Sequence, residues 1–555
     1  MSDNNYNKTS VLIVGAGPAG LSAAIQLKTL KPQLDICIVE KAAGLGNHNL
    51  SGAVLEAEPL HTLLDSAVPG WQQTPDAKDV LAKKVGTESV MFLLGKSLSF
   101  NLLLFIKLAK MFGLGPGQML HDGDYIVQIS KLTVWLGKIA KSLGVEILTG
   151  FAAEDINFDK STGTATSVKL VDQGRDKEGH KQPNFVEGEI INAQFIILAE
   201  GCDGLVTQKF IEKAGLQRQS PQLYSLGVKE LIKVSPQQYQ SFSASRVVHA
   251  MGFPIWTPFI GPAMFGGGII YPGDNDHIAV GMIVGLDWKY CDFNAQDALA
   301  GFKEHKFVKQ FIEGGTVVEA GAKMIPEGGF YAVPRDPVSG AIGRANCIIL
   351  GDSAGFVNML KIKGLHNAIN SGIQAANAVT ESLDNPAATA KKYTSLVDSS
   401  NINTEMKSAG NFRQTVAKFG TTLGFPLSVL GNLLPKFKVE EDYKAMTTAR
   451  YRLKPNKDFD KDTFTAVAAT EHREEQPSHL SILDRNICAQ KCTPNFNSPC
   501  ITFCPAGVYE TVQGIVKPAN PSNCLHCKTC QRKCPFDNIR WTVPEGAGGP
   551  RYKRM

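Results

Sequence analysis

At 555 residues, the chain is long enough for roughly two to four domains with substantial cores. Its hydrophobic content of 43% and charged content of 20% are ordinary for a globular protein, and a net charge of +5 does not indicate a nucleic-acid partner. No apolar run reaches about eighteen residues, so we expect no transmembrane helix. The N-terminus shows neither an export signal nor an organelle presequence, which favours a reducing compartment, most simply a bacterial cytoplasm.

The first pattern in the chain is a strand, a glycine-rich turn and a helix. An apolar run predicts a buried strand, the turn reads Gly15-x-Gly17-x-x-Gly20, and a helix pattern and a second strand follow, ending at Glu40. In such units the first glycine permits the tight turn, the second lets backbone approach a pyrophosphate, and the third allows helix and strand to pack closely. With Glu40 placed to bind ribose hydroxyls, the pattern predicts a dinucleotide site.

Two later stretches indicate that the dinucleotide is FAD. One predicted strand ends in a turn containing Gly201 and Asp203, and another opens onto a helix at Gly351, Asp352 and Gly355. An Asp there can meet ribose hydroxyls, and the helix N-terminus can stabilise negative charge on a reduced flavin. Because only one GxGxxG unit is visible, we expect FAD and no separate nicotinamide domain.

Eight of the twelve cysteines are concentrated near the C-terminus. They read Cys488-x3-Cys492-x7-Cys500-x3-Cys504-Pro505 and Cys524-x2-Cys527-x2-Cys530-x3-Cys534-Pro535. The second half has the spacing of bacterial ferredoxins, in which three thiolates hold a cubane and the cysteine before proline reaches across to another. A zinc site usually takes paired thiolates, and a disulfide framework needs an oxidising compartment. The spacing therefore favours iron–sulfur ligation.

The middle of the chain is rich in predicted strands. Repeated β-rich runs over 226–290 predict an antiparallel sheet covering the flavin. Within it, Gly266 and Gly267 lie where backbone could approach a flat ligand, although a bulge or turn is the ordinary interpretation. The segments 98–112 and 419–437 are unusually apolar and carry lysines. They fit interfacial helices at a membrane, and equally a pair of core helices.

Together these residues resemble one family, the electron-transfer flavoprotein:ubiquinone oxidoreductases, over most of the chain. The stretches that carry the resemblance are Tyr125–Trp135, Phe151–Glu154, Ala199–Cys202, Gly281–Asp287, Glu327–Phe330, Lys361–His366, Ser371–Gly372, Phe503–Tyr509, Asn523–Cys530 and Val543–Gly549. The resemblance implies FAD and a [4Fe–4S] cluster ligated by Cys504, Cys524, Cys527 and Cys530. It also implies a quinone in an apolar tunnel near Gly266 and Gly267, with the two apolar segments entering a membrane at its mouth.

The chain departs from the family in four further cysteines. Cys534 stands where another residue is usual, and Cys488, Cys492 and Cys500 lie upstream. If the cysteines before proline cross over as in two-cluster ferredoxins, Cys504 serves the first cluster and Cys534 a second one with the upstream three. Four unligated thiols are the alternative.

The predicted fold is α/β (α+β), with a Rossmann-type FAD-binding domain, an antiparallel-sheet quinone domain and a C-terminal ferredoxin-like iron–sulfur domain. The predicted boundaries are 9–60, 120–225 and 325–385 for the discontinuous FAD-binding domain, 61–119 and 226–324 for the quinone-binding and membrane-contact domain, 386–470 for a helical segment with a membrane-contact hairpin, and 471–555 for the iron–sulfur domain.

The predicted activity is electron relay from reduced electron-transfer flavoprotein through [4Fe–4S] and FAD to ubiquinone or menaquinone, with no catalytic acid, base or nucleophile. We expect peripheral, monotopic contact with the cytoplasmic face of a bacterial inner membrane. Candidates for steering an acidic partner are Lys528, Arg532, Lys533 and Arg540. Candidates for hydrogen bonds to cluster sulfurs are Tyr509 and Thr529. The alternatives are a soluble flavin–ferredoxin carrier and a flavin monooxygenase or saturase of the same fold.

Overall fold

The computed structural model describes residues 7–159, 161–451 and 461–555. Its strands are β1 (Lys8–Val14), β2 (Ile36–Glu40), β3 (Val54–Leu55), β4 (Lys83–Lys84), β5 (Thr87–Leu94), β6 (Leu98–Asn101), β7 (Tyr125–Ile126), β8 (Glu146–Thr149), β9 (Ala153–Phe158), β10 (Ala165–Leu170), β11 (Gln173–Arg175), β12 (Lys181–Val186), β13 (Ile190–Leu198), β14 (Tyr224–Lys233), β15 (Arg246–Gly252), β16 (Gly266–Pro272), β17 (His277–Gly285), β18 (Thr316–Pro326), β19 (Gly343–Arg344), β20 (Cys347–Ile349), β21 (Leu480–Ile482), β22 (Tyr509–Val512), β23 (Ile515–Pro518) and β24 (Ile539–Trp541).

The helices are α1 (Pro18–Leu30), α2 (Ala57–Ala67), α3 (Pro75–Val80), α4 (Leu103–Met111), α5 (Ile129–Ser142), α6 (Leu205–Lys213), α7 (Pro236–Phe242), α8 (Ala295–Glu304), α9 (Lys306–Ile312), α10 (Gly351–Ala354), α11 (Leu365–Thr380), α12 (Thr389–Ser399), α13 (Asn401–Ser408), α14 (Phe412–Ser428), α15 (Lys461–Val467), α16 (Arg485–Ile487), α17 (Thr493–Phe496), α18 (Pro499–Phe503) and α19 (Thr529–Lys533). A π-helical turn, Cys488–Cys492, joins α16 to α17.

The first sheet is built around β1, whose aliphatic side chains are buried because strands flank it on both edges and helices cover it. The strand order is β19-β20-β13-β1-β2-β8, with β10 and β9 continuing antiparallel from β13. The pairs made by β1, β2, β8, β13 and β20 with one another are parallel. Because the carboxyl ends of parallel strands open at one edge, the turns after β1, β2, β13 and β20 lie together there. The predicted α/β fold is confirmed.

The second sheet runs β18-β14-β17-β16-β15-β5-β6. Its pairs are antiparallel except β15 with β5. The four β-rich runs predicted over 226–290 correspond to β14, β15, β16 and β17, so that prediction is confirmed.

The cysteine-rich segment folds around two short antiparallel pairs, β21 with β24 and β22 with β23. Its apolar residues share one core with the second sheet, and Phe503 packs edge-on against Trp288. The segment is therefore held against the sheet by a continuous apolar interface, which fixes the position of the thiols relative to the sheet.

Two predicted boundaries cut through the apolar core of the first sheet. Leu60, Leu63 and Trp71 belong to the core of the first sheet, because α2 packs beside α1 and α11. The FAD-binding domain thus continues past residue 60 to α3. At the other end, Tyr393 and Val397 on α12 also lie in that core, so residues 389–408 are part of the same domain and not of a separate helical segment.

Arg413, one residue into α14, holds that helix to the second sheet. Its guanidinium donates to Asp287 Oδ1 at 2.8 Å and Oδ2 at 3.1 Å, and to Glu327 Oε2 at 3.2 Å. Both Arg413 and Glu327 are buried. A buried cation between two carboxylates fixes geometry, and its removal leaves uncompensated charge.

We predict that Arg413→Met lowers the free energy of unfolding by about 3–5 kcal/mol, because the buried Glu327 and the partly buried Asp287 would be left without their partner. Urea denaturation measures the change. Lys138→Met is the control: it breaks the exposed pair with Asp76 and should cost less than about 1 kcal/mol. Equal midpoints for the two variants would contradict the prediction.

Candidate flavin, cluster and quinone sites

A continuous cavity lies between the two sheets. One part of the cavity, which we call the dinucleotide part, is lined by residues at or after the ends of strands of the first sheet: Gly15, Gly17, Glu40, Gly201 and Asp352. The other part, which we call the apolar part, is lined by residues from the second sheet, the loops beside it and α14: Trp256, Phe265, Gly266, Gly267, Phe412 and Phe425. The cavity thus joins the predicted FAD and quinone residues.

The three glycines of the first turn have different physical roles. Gly15 has φ +107°, and a Cβ there would lie 2.4 Å from the Ala199 carbonyl oxygen. A Cβ on Gly20 would lie 2.2 Å from the Gly15 oxygen. Gly17 has φ −77°, which any residue can adopt, and a Cβ there would meet only the Asn49 side chain, at 3.9 Å. The chain therefore needs Gly15 and Gly20 for folding, whereas Gly17 leaves the cavity open for a ligand.

Two carboxylates reach the dinucleotide part. Glu40 ends β2, and its carboxylate accepts from the backbone N–H groups of Ala16 at 2.9 Å and Ala42 at 2.8 Å. Asp352 follows β20, and burial raises its pKa to about 6, against the lowering effect of Lys323. Both residues line the dinucleotide part of the cavity, and their contact with ribose hydroxyls stays a prediction.

Asp203 has a different role from the one predicted. Its carboxylate accepts from Arg532 Nε at 2.9 Å and Gln531 Nε2 at 3.2 Å, and it is not among the residues that line the cavity. Burial opposes its ionisation, but the Arg532 guanidinium outweighs burial and holds its pKa below the ordinary value. Gly351 and Gly355 also lie outside the lining. Their positive φ angles of 51° and 85° shape the turn that carries Asp352.

The sequence did not predict that lysines line the cavity, and three of them, Lys41, Lys323 and Lys528, affect one another. Burial first, and then the charges of Lys528 and Lys323, lower the pKa of Lys41 to about 7. Burial and Lys528 likewise lower the pKa of Lys323. Cations that destabilise one another around a cavity are stabilised by an anion, and an FAD pyrophosphate supplies one. The donor set therefore fits FAD.

Gly266 and Gly267 line the apolar part, and the sheet itself also requires them. Gly266 has φ +133°, and a Cβ there would lie 2.0 Å from the Ile283 oxygen. A Cβ on Gly267 would lie 2.2 Å from the Ala250 oxygen. Strand packing accounts for both glycines, so their contact with a quinone stays a prediction.

The first set of thiols lies beside the cavity. All four cysteines, Cys504, Cys524, Cys527 and Cys530, are buried. Burial first, and the Cys527 thiol second, raise the pKa of Cys524 well above its ordinary value. The thiols of Cys504, Cys524 and Cys527 act in the same direction on Cys530, which places all four together.

The spacing of these sulfurs does not suit zinc. Zinc–sulfur bonds of about 2.3 Å in a tetrahedral site bring thiolates to within about 3.8 Å of one another. Among the described residues, which include all eight C-terminal cysteines, no three cysteine sulfurs lie within 4.8 Å of one another. All twelve cysteines are free, so the disulfide alternative is not what the structure shows either.

Buried donors around the first set fit a cluster. The Tyr509 hydroxyl, the Thr529 hydroxyl and Trp541 Nε1 are buried without a well-formed hydrogen bond in the described part of the chain. They lie beside Cys530, Cys527 and Cys524, respectively. Buried donors are expected to have partners, and the sulfurs of a thiolate-bound cluster are acceptors. The predicted positions of Tyr509 and Thr529 agree with this.

The other four cysteines form a second set. Asn538 connects two of them, since its backbone N–H donates to Cys534 Sγ and its side-chain amide to Cys488 Sγ, both at 3.4 Å. Burial first, then Cys534 and Cys488, raise the pKa of Cys492 to about 12. Cys500 is buried, and the same thiols raise its pKa. The structure thus groups the eight cysteines as the crossover pattern predicted.

The four basic residues proposed to steer a partner are mostly internal. Lys528 and Lys533 are buried, and Lys533 Nζ donates to the carbonyl oxygens of Trp288 at 2.6 Å and Asp442 at 3.1 Å. Arg532 pairs with Asp203, and Arg540 with Asp537. Lys528, Arg532 and Lys533 thus hold the cysteine-rich segment to the rest of the chain and are engaged internally, whereas Arg540 is partly exposed.

A group of histidines was missed because its members are far apart in sequence. His472 Nε2 lies 2.8 Å from His526 Nε2, and His479 stacks on His472. His48 packs edge-on against His526 and lines the cavity. Burial lowers the pKa of His479 to about 3. These histidines form one group, which reaches the cavity at His48 and the first set of thiols at His526.

Three neighbouring segments expose large apolar side chains, since Phe92, the strand partner of Phe100 on β6, packs edge-on against Trp256. The first segment is β6 with α4, and the second is the end of α14 with the residues that follow it. The sequence indicated both. The third, the loop 257–262, was not predicted. The exposed residues are Leu98, Phe100, Leu104, Phe105, Leu108, Met111, Phe112, Leu114, Phe259, Ile260, Phe419, Leu423, Leu427, Leu430 and Leu433. Trp256 Nε1 donates to Thr422 at 3.0 Å, which joins the loop to α14. We call this region the apolar face. Among the described helices, none has the length and apolarity to cross a membrane.

We predict that Gly17→Val abolishes FAD binding and leaves the fold intact, because the new side chain would occupy only the cavity. Gly20→Val is the matched variant and should destabilise the fold by about 1–3 kcal/mol or more, because its side chain would collide with backbone. Flavin content of the purified proteins and their thermal melting distinguish the two. Normal flavin content in Gly17→Val would contradict the assignment of this turn.

Comparison with known proteins agrees with the geometry. The family model described as "Electron transfer flavoprotein-ubiquinone oxidoreductase, 4Fe-4S" matches residues 456–553, and "ETF-QO, ubiquinone-binding" matches residues 224–325. A Thi4 family model matches residues 2–64. Among solved structures, a geranylgeranyl bacteriochlorophyll reductase-like protein from Thermoplasma acidophilum shares the fold, with a TM-score of 0.54 and 16% identity over 76% of this chain and 90% of that one.

Relatives match over most or all of their length. The mitochondrial electron transfer flavoprotein-ubiquinone oxidoreductase of Arabidopsis thaliana is 35% identical over 98% of this chain and 84% of its own. The electron transfer flavoprotein-ubiquinone oxidoreductase of Pseudomonas aeruginosa is 33% identical over 100% of both chains. On this similarity, and on the cavity and thiols described above, the chain belongs to the electron transfer flavoprotein-ubiquinone oxidoreductase family.

Proposed function

We propose that this chain passes electrons from reduced electron-transfer flavoprotein, through a [4Fe–4S] cluster and FAD, to ubiquinone. The observation that carries the proposal is the continuous cavity, which begins beside the first set of thiols and extends to an apolar wall. The proposed cluster ligands are Cys504, Cys524, Cys527 and Cys530. The proposed FAD contacts are Gly15, Gly17, Glu40, Gly201 and Asp352, and the proposed quinone contacts are Gly266 and Gly267.

When bound, the cofactors supply the redox chemistry: the cluster transfers electrons one at a time, and the flavin takes up two electrons and passes them on to the quinone. The chain itself sets distance and excludes water. Lys528 and Trp541 line the cavity, and Trp541 Nε1 also lies beside Cys524. One layer of side chains therefore separates the thiols from the dinucleotide part, which supports direct transfer between the two centres.

Quinone reduction consumes two protons, and the cavity wall contains a pair that can hold one. His249 Nε2 lies 2.5 Å from the Tyr271 hydroxyl, and both residues line the cavity. Burial and Lys363 lower the pKa of His249 to about 4, so the imidazole is neutral near pH 7. The pair thus keeps a transferable proton between Tyr271 Oη and His249 Nε2 beside the quinone site.

The apolar face supports a peripheral position on a membrane. Large contiguous apolar surfaces on a soluble protein mark contact sites, and Lys107 and Lys110 on α4 suit anionic headgroups. Ile362 is 40% exposed and also lines the cavity. We therefore place the quinone opening at the membrane, on the cytoplasmic face of a bacterial inner membrane.

We expect the purified holoprotein to reduce ubiquinone when reduced electron-transfer flavoprotein is the donor, and Cys524→Ser to abolish this reaction while FAD stays bound. Anaerobic absorbance of the donor flavin and of the quinone measures the transfer, and menaquinone is assayed in parallel. Cys347→Ala, which changes a buried thiol outside the cysteine-rich segment, serves as the control. Oxidation of NADH or NADPH with uptake of oxygen would favour the monooxygenase alternative.

Replacing Leu104, Phe105, Phe259, Ile260 and Leu433 with Ser should abolish sedimentation with anionic phospholipid vesicles and reduce activity with long-chain ubiquinone. Reduction of a water-soluble dye should be retained, because these side chains are exposed and lie outside the cavity lining. Val186→Ser is the control, since Val186 is 61% exposed on β12. Undiminished vesicle binding and quinone activity would favour the soluble-carrier alternative.

A further inference from the structure

The two halves of the cysteine-rich segment repeat one local structure. Helix α18 ends at Cys504 and helix α19 ends at Cys534. Each helix follows a left-handed residue, Ser498 with φ 51° or Lys528 with φ 57°. At each end the terminal cysteine N–H donates at 3.2 Å to the carbonyl of the cysteine four residues earlier, Cys500 or Cys530.

The repeat continues after each Cys-Pro pair. Backbone N–H groups two and four residues after the cysteine face its sulfur in both halves: Ala506 and Val508 at Cys504, and Phe536 and Asn538 at Cys534, where the Asn538 N–H donates at 3.4 Å. The third residue is left-handed in both, Gly507 with φ 60° and Asp537 with φ 48°. Amide groups converging on sulfur stabilise a thiolate, and a neutral buried thiol does not require them.

We propose that Cys488, Cys492, Cys500 and Cys534 hold a second [4Fe–4S] cluster. The proposal follows from the repeat, because a loop built like the one around Cys504 surrounds Cys534, and Cys500 occupies the position that Cys530 has in the other half. The remaining ligands, Cys488 and Cys492, come from the π-helical turn, a feature frequent at functional sites.

Two cysteines of the second set that are distant in sequence lie close together in the structure, as ligands of one cluster must. Asn538 donates to both Cys488 and Cys534, although these residues are 46 positions apart in the sequence. The sulfurs are too far apart for zinc and are not paired as disulfides. A four-iron cluster fills such a space with its own iron and sulfide.

The second site lies nearer to the surface than the first. Cys488 is half-buried, whereas every cysteine of the first set is buried. Cys500 and Cys504 belong to different sets and are four residues apart on one helical turn, so the two clusters would be neighbours. The second cluster would accept one electron from outside and pass one electron inward, with no proton or bond exchanged. This inference does not depend on the proposed function, because quinone reduction needs only the first cluster.

The test is the iron and acid-labile sulfide content of the holoprotein purified anaerobically. We expect about eight irons and eight sulfides per FAD. Dithionite reduction should give the EPR signal of two magnetically interacting clusters. About four irons with a single isolated cluster signal, or zinc in the second set, would overturn the proposal.

Variants locate the additional irons. Cys492→Ser should lower the iron content to about four while FAD and the isolated signal of the first cluster remain. Cys347→Ala is the matched control and should keep about eight. If Cys492→Ser cannot be purified, the wild-type iron count and EPR spectrum still decide the question. An unchanged count in a folded Cys492→Ser protein would overturn the proposal.

Discussion

The arrangement depends on the buried contact between Asp203 and Arg532. Asp203 lies in the turn after β13, which forms part of the cavity edge, and Arg532 lies on α19 between two proposed cluster ligands. Burying the Asp203 carboxylate and most of the Arg532 side chain costs desolvation energy that the ion pair only partly offsets, so the contact is poorly explained as a source of stability. It is better explained as a constraint on position: an electron carrier works only if its distance to the next one is fixed.

The charges around the cavity follow from the same constraint. Lys41, Lys323 and Lys528 would repel one another in an empty site, and the buried histidines are neutral. An anionic flavin and a thiolate-bound cluster would supply the missing negative charge when bound. Lys528 lines the cavity, and Arg532 and Lys533 are engaged in internal contacts, so the predicted steering role fails for these three residues.

Local patterns were sufficient to predict the first sheet, four strands of the second and the grouping of the thiols. Each of these is encoded by neighbours in sequence: a glycine spacing, alternating apolar residues, or cysteines at short intervals. The lysines of the cavity wall and the histidine group could not be predicted from local patterns. Lys41, Lys323 and Lys528 come together only after the two sheets and the C-terminal segment have packed. Asp203 was assigned wrongly because its turn resembles that of Asp352, whereas packing against α19 turns its carboxylate to Arg532.

The apolar face and the cavity form one functional unit through α14. The first half of this helix is buried and is held by Arg413, while its second half, after the kink at Gly420, exposes Leu423 and Leu427. Phe425 on the same half lines the cavity. If the apolar face contacts a bilayer as proposed, this helix, with one end fixed in the core and the other facing lipid, provides an apolar route from the bilayer to the flavin. A quinone with a long isoprenoid tail would then reach its site without exposing that tail to water. The free-energy cost of such exposure grows with every methylene that leaves an apolar environment.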